Sequence, residues 1–207
     1  MTAMRLARQH AISKRQWTLV VFPTRDAGNV FPAAHLDKCL RGYVVLAATN
    51  KLDGEYQFNP TWRDPSPNDM KFAFVSDWKY LPEGIYFDDN VDLAGNYVFG
   101  RLNGTQVTYS GAFLFPLDPA KPNDRVQKMG AVLFKPNGRA FIFHDSSATG
   151  KFWQDVDYTR IYVTSAKYYE KTSTTLVGPE TLPGGTNTAV QIRNKTGQIH
   201  VWDGTQP

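Results

Sequence analysis

Four histidines, one cysteine and a short acidic run are the side chains of this 207-residue chain whose types could do chemistry. His35 and Cys39 stand at a spacing that fits a zinc half-site or a thiol with its base, but nothing nearby in the chain supplies further ligands. Asp88, Asn90 and Asp92 occupy the first, third and fifth places of an EF-hand-like loop. Leu93 then fills the glycine place and Phe99 the place of the bidentate glutamate, which leaves a solvated acidic turn. His10 and His200 stand apart from other such groups, and His144-Asp145 closes a strand-like run, where turn contacts account for it. There is no G-x-S-x-G elbow, no Walker loop, no dinucleotide fingerprint and no H-E-x-x-H pair. The expectation is a protein that is not an enzyme, with no cofactor and no metal. Cys39, alone, excludes an internal disulfide and is expected as buried packing.

Binding chemistry has two sources. The formal net charge of +4 is concentrated at the start of the chain, where residues 1–25 carry five basic groups and no acid. The remaining 18 basic and 19 acidic groups nearly cancel. Arg5, Arg8, Lys14, Arg15, Arg139, Arg193 and Lys195 are the candidate contacts for a polyanion, against the plainer reading of solvated surface charge. Five tryptophans and ten tyrosines on a strand-rich chain could form a sugar platform, since aromatic faces stack on pyranose rings. Most of them fall in strand-like runs, and packing is the expected use.

The elements that must position these groups are mostly strands. Residues 1–16 lack Pro and Gly and place Ala3, Met4, Ala7 and Ala11 on one stripe, which predicts a helix with a narrow packing face. An isolated helix of this length is marginal, so the stripe is expected to lie on a sheet. Trp17–Phe22 reads as a strand, and Arg41–Ala48 as a second one, apolar on both faces and therefore central. Further strands are predicted within Phe72–Phe87, at Gly95–Leu102, Thr105–Phe115, Gly130–Phe143 and Arg160–Ala166, and as a hairpin over Thr188–Trp202. Pro82-Glu83-Gly84, Asn103-Gly104, Pro136-Asn137-Gly138 and Asn194–Gly197 supply the turns. Residues 59–69 and 116–124 read as exposed loops, and Lys167–Thr186 as a flexible excursion. No run approaches a membrane span and no signal peptide is visible.

Four of these stretches, in this order, resemble minor pilins and pseudopilins of the GspH/FimT type. They are the Ala7-Arg8-Gln9-His10-Ala11-Ile12 segment with its basic turn and short strand, Trp78-Lys79-Tyr80-Leu81-Pro82-Glu83-Gly84-Ile85, the Phe134-Lys135-Pro136-Asn137-Gly138-Arg139 hairpin, and the closing strand–Thr196-Gly197–strand. The resemblance implies an α+β fold with an N-terminal helix packed on antiparallel β-sheet that is partly two-layered. Residues 1–16 would be the C-terminal part of the long pilin helix and 17–207 a β-rich region, together one domain. It implies a structural subunit of a type IV pilus or a type II secretion system, acting in filament assembly or at the tip. Its partners would be other pilin or pseudopilin subunits and the bacterial inner membrane, reached through a helix upstream of Met1, with the globular part periplasmic or extracellular. Lys14–Phe22 superficially copies a prepilin cleavage site but lacks its Gly and Glu. Some FimT-like proteins bind DNA through a Gly-Arg-x-Arg segment in the terminal hairpin. Here that place reads Gly197-Gln198-Ile199-His200, without either arginine. A carbohydrate-binding β-rich module is the alternative from another class, and non-specific DNA binding a further one.

Overall fold

The computed structural model describes residues 1–23, 37–49, 71–88, 101–102, 105–106, 115–121, 124–126, 129–146, 150–154, 157–165, 170–172, 175–177 and 188–202. Helix α1 spans Thr2–Lys14. Arg15 ends it in the left-handed conformation (φ 52°, ψ 39°), and Lys14 in its last turn suits the negative end of the helix dipole. Among the described residues no helix is long and apolar enough to cross a membrane.

The strands follow in chain order. The first five are β1 (Thr18–Pro23), β2 (Gly42–Ala48), β3 (Phe72–Phe74), β4 (Lys79–Tyr80) and β5 (Ile85–Phe87). Next come β6 (Arg101–Leu102), β7 (Thr105–Gln106), β8 (Phe115–Pro116), β9 (Arg125–Val126), β10 (Met129–Phe134), β11 (Ala140–Ser146) and β12 (Gly150–Gln154). The last are β13 (Tyr158–Ser165), β14 (Glu170–Thr172), β15 (Thr175–Val177), β16 (Thr188–Arg193) and β17 (Gln198–Trp202). A seven-stranded antiparallel sheet runs β12-β11-β10-β1-β2-β3, with β4 also paired to β2, and a four-stranded antiparallel sheet runs β17-β16-β13-β5. Three two-stranded pairs, β6–β7, β8–β9 and β14–β15, complete the set. The last pair falls inside the stretch expected to be a flexible excursion, and its Glu170–Thr172 and Thr175–Val177 pair in register. Residues 59–69 and the Asn103-Gly104 turn lie outside the described residues.

Strand β1 is central, flanked by β10 and β2, and every one of its residues is buried. Its alternate side chains enter two separate clusters. Leu19 and Val21 join Val44, Leu46, Phe72, Phe115, Met129, Leu133 and Phe141 on one face. Val20 and Phe22 join Val45, Val132, Phe134 and Ile142 on the other, together with Met4, Ala7 and Ala11 of α1 and Phe87, Ile161 and Ile192 of the smaller sheet. The helix thus shares one core with both sheets. Small side chains on its inner stripe let the backbone come close, and the large residues that fill the space come from strands.

The expected α+β class, with residues 1–16 as the end of a long helix packed on antiparallel sheet, is corrected by this arrangement. Among the described residues the protein is mostly β, with two main antiparallel sheets and one short helix. The physical reason lies in where the volume is. Only Met4, Ala7 and Ala11 of α1 are buried, whereas the aromatic and β-branched strand runs supply the remaining core. The left-handed Arg15, three residues before Thr18 opens β1, ends the helix on its C-terminal side.

The turns form where their residue types allow. The Ile85 amide donates to the Pro82 carbonyl (3.1 Å) with Gly84 at φ 78°, and Gly138 and Gly197 reach φ 80° and 65° in the two later hairpins. Trp78 packs half-buried at the edge of the first cluster and donates its indole N–H to the Leu117 carbonyl (2.8 Å).

Candidate functional site

The structure brings one helix side chain onto two hairpin turns. Arg8 leaves α1 at its midpoint, and its Nη2 donates to the Thr196 carbonyl (3.0 Å). The guanidinium lies against Gly138 in the β10–β11 turn and Gly197 in the β16–β17 turn. A Cβ on Gly197 would overlap the Gly138 carbonyl oxygen, so the two turns meet where neither has a side chain. The Ala140 amide donates to the Asn194 carbonyl (2.8 Å), tying β11 to the second turn. Among the described residues, Arg8 Nε and both side-chain amide atoms of the fully buried Asn194 have no hydrogen-bond partner. Buried polar atoms of this kind are costly, and they mark the clasp as polar space inside an apolar surround.

Beside the clasp runs an open groove of about 470 Å³ between α1 and the start of β17. Arg5, Arg8, Gln9, Ile12 and Ser13 line it from the helix, and Gly197, Gln198 and Ile199 from the hairpin. Among the described residues its lining holds two guanidinium groups, two amides and a hydroxyl beside two isoleucines, and no acid. Such a lining favours a ligand with negative charge and some apolar surface.

The other predicted cations do not converge there. Lys14, Arg15 and Arg193 are exposed elsewhere on their elements, and Lys195 pairs with the Asp157 carboxylate (2.6 Å). Arg139 sits with its guanidinium 5.6 Å from the Phe141 ring centre. The seven candidates therefore form no single track. On the helix, Met4, Ala7 and Ala11 are buried and Ala3 is half-buried, so the packing stripe serves the protein's own core.

His10 and His200 make separate contacts. His10 Nδ1 lies 3.1 Å from Thr18 Oγ1, and the same hydroxyl is within 3.3 Å of the Gln16 carbonyl. Burial, and secondarily the nearby Lys14 charge, holds the His10 pKa below the usual imidazole value. His200 belongs to a row across the smaller sheet: Arg160 Nε donates to Gln191 Oε1 (2.8 Å), and the amide of Gln191 donates in turn to His200 Nε2 (3.2 Å). His35, Asn90 and Asp92 lie outside the described residues, Cys39 is buried, and the buried Asp88 gives its amide to the Tyr162 carbonyl (3.0 Å). Among the described residues no group of three or more His, Cys, Asp or Glu side chains is placed to hold a metal.

Several of the described aromatic rings are engaged by cations. Arg160 stands 4.5 Å from the Tyr158 ring centre and 3.9 Å from that of Trp202, Lys135 lies over Trp17, and Lys38 over Trp78. Contacts of this kind already use an aromatic face that a sugar would need.

Sequence reasoning named Arg5 and Arg8 but not the groove, nor Gln9, Ile12, Ser13 and Ile199 as its lining. The available signal was the pair of turn glycines, Gly138 and Gly197, each preceded by turn-forming polar residues. Their closeness to Arg8 depends on tertiary structure. The chain matches no protein-family model, no curated protein and no solved structure.

Proposed function

We propose that the chain is a non-catalytic assembly subunit of the minor-pilin or pseudopilin kind, in a type IV pilus or type II secretion system, and that its work is done by surface contacts. The resemblance of the four ordered stretches supplies the class. One structural observation carries the reading. With Met4, Ala7 and Ala11 committed to the core, α1 turns Leu6 and Ile12 to solvent, and Met1 at its start is exposed as well. Three of the five large exposed apolar side chains among the described residues thus lie on or at the start of one helix. Apolar side chains held on the solvent side of a helix are available for protein contact. Ile12 lies beside Arg5, Gln9 and Ser13 in the lining of the groove, so apolar and polar contacts are offered together.

The test is site-specific photocrosslinking in the native cell. A photoreactive residue at Leu6 or Ile12 is expected to capture pilin-type subunits, and one at the exposed Lys121 is not. Absence of those products from both helix positions, or their equal yield from Lys121, removes the reading. Saturable glycan binding without any subunit crosslink would move the carbohydrate-binding alternative to the front.

A further inference from the structure

We propose that the groove between α1 and β17 receives an extended acidic segment of a partner protein, which adds to β17 as a further strand. The inference deepens the assembly reading and rests on it. Its first ground is the edge. Among the described residues β17 pairs only with β16, and Gln198-Ile199-His200-Val201 contains no Lys, Pro or acid. Edge strands are ordinarily protected by such residues, as Lys79 on β4 and Lys151 on β12 illustrate in the larger sheet. Here the edge instead carries the most exposed large apolar side chain among the described residues, Val201 at 53%. Alternation puts Val201 on the same face of β17 as Ile199, which lines the groove.

The second ground is charge. Arg5 and Arg8 line the groove with no acid beside them among the described residues, and residues 1–25 contain none in sequence. A strand laid along β17 would gain main-chain hydrogen bonds from the edge. Every second side chain of that strand would point to the α1 side and meet the Arg5 and Arg8 guanidinium groups beside Ile12 and Ile199, and the others would face away from the helix. Complementarity therefore specifies glutamate or aspartate alternating with β-branched or other apolar residues. A nucleic acid fits less well, because the remaining cations are dispersed and the groove is lined by isoleucine rather than by stacked rings.

The probes are short synthetic peptides of alternating Glu and Val and of alternating Lys and Val, titrated onto the full chain with amide hydrogen exchange as the structural readout. The Glu–Val peptide is expected to bind saturably, at about 100 μM or tighter, and to slow exchange at Gln198–Val201. Arg5→Glu and Gln9→Glu should each weaken it by roughly tenfold, and Lys121→Glu, with the same change in charge as the first, should not. Equal binding of the Lys–Val peptide, protection elsewhere in the chain, or no binding by about 1 mM overturns the proposal. So does single-stranded DNA that binds more tightly and protects the same amides, which would make the groove a polyanion track. If subunit crosslinks at Leu6 and Ile12 persist while the peptide fails, the assembly reading stands without strand addition.

Discussion

Gly197 and Gly84 both sit at positive φ, 65° and 78°, in opposite surroundings. Around Gly84 nothing stands within 4 Å of where a Cβ would be, whereas at Gly197 the Gly138 carbonyl and the Arg8 side chain already fill that space. Backbone preference alone predicts that Gly84→Ala costs about 1 kcal/mol. Gly197→Ala adds a collision with backbone that cannot rotate away, and a loss of about 3 kcal/mol or more is expected. Urea unfolding of the two variants measures the difference, and equal costs would show that the two turns have room to separate. Arg8 is then worth more as packing than as charge, since its stem and guanidinium fill the corner both glycines leave.

At the scale of elements, the join between α1 and β1 contains a titrating contact. His10 of the helix meets Thr18 of the strand, and burial lowers the imidazole pKa. As pH falls through about 6.5 the unfolded chain takes up the proton first, so stability is lost between that value and the lowered pKa of the fold. Thermal unfolding should therefore come at lower temperature at pH 5 than at pH 7.5, and His10→Gln should flatten the dependence. An unchanged slope would mean that other groups set it. Much at this scale was legible in advance. The β-branched run after Gln16, the Pro82–Gly84 turn and the Phe134–Ala140 hairpin are decided by local chemistry, and they form where the residue types place them. The class was misread because a helix signal says nothing about how much core a helix will fill, and here a 13-residue helix with an alanine stripe fills little. The groove was hidden for another reason. It depends on Arg8 reaching the Thr196 carbonyl 188 positions away, which no local pattern encodes.

For the whole molecule, the cluster shared by α1 and the two sheets makes their stabilities interdependent. Ile192 is fully buried in that cluster on β16, and Ile192→Ala is expected to cost about 2–5 kcal/mol. Far-UV circular dichroism and tryptophan fluorescence should still report one transition, because Trp17 precedes β1 and Trp202 ends β17, on different sheets. Separate midpoints would show that the sheets unfold independently. The two-faced burial of β1 also bears on how the chain finds its pairing. In a sheet with one wet face, a slip by one residue turns apolar side chains to water and is rejected. For β1 the same slip merely exchanges Leu19 and Val21 with Val20 and Phe22 between two greasy interiors, so hydrophobicity discriminates weakly against it. Alignment must instead be enforced at the ends of the strand, where the Leu40 amide grips the Pro23 carbonyl (3.0 Å) and the Ala48 amide the Trp17 carbonyl (2.9 Å). Those two bonds act as the index marks of the sheet, and a chain that misses them would be trapped in a shifted pairing that is nearly as well buried as the native one.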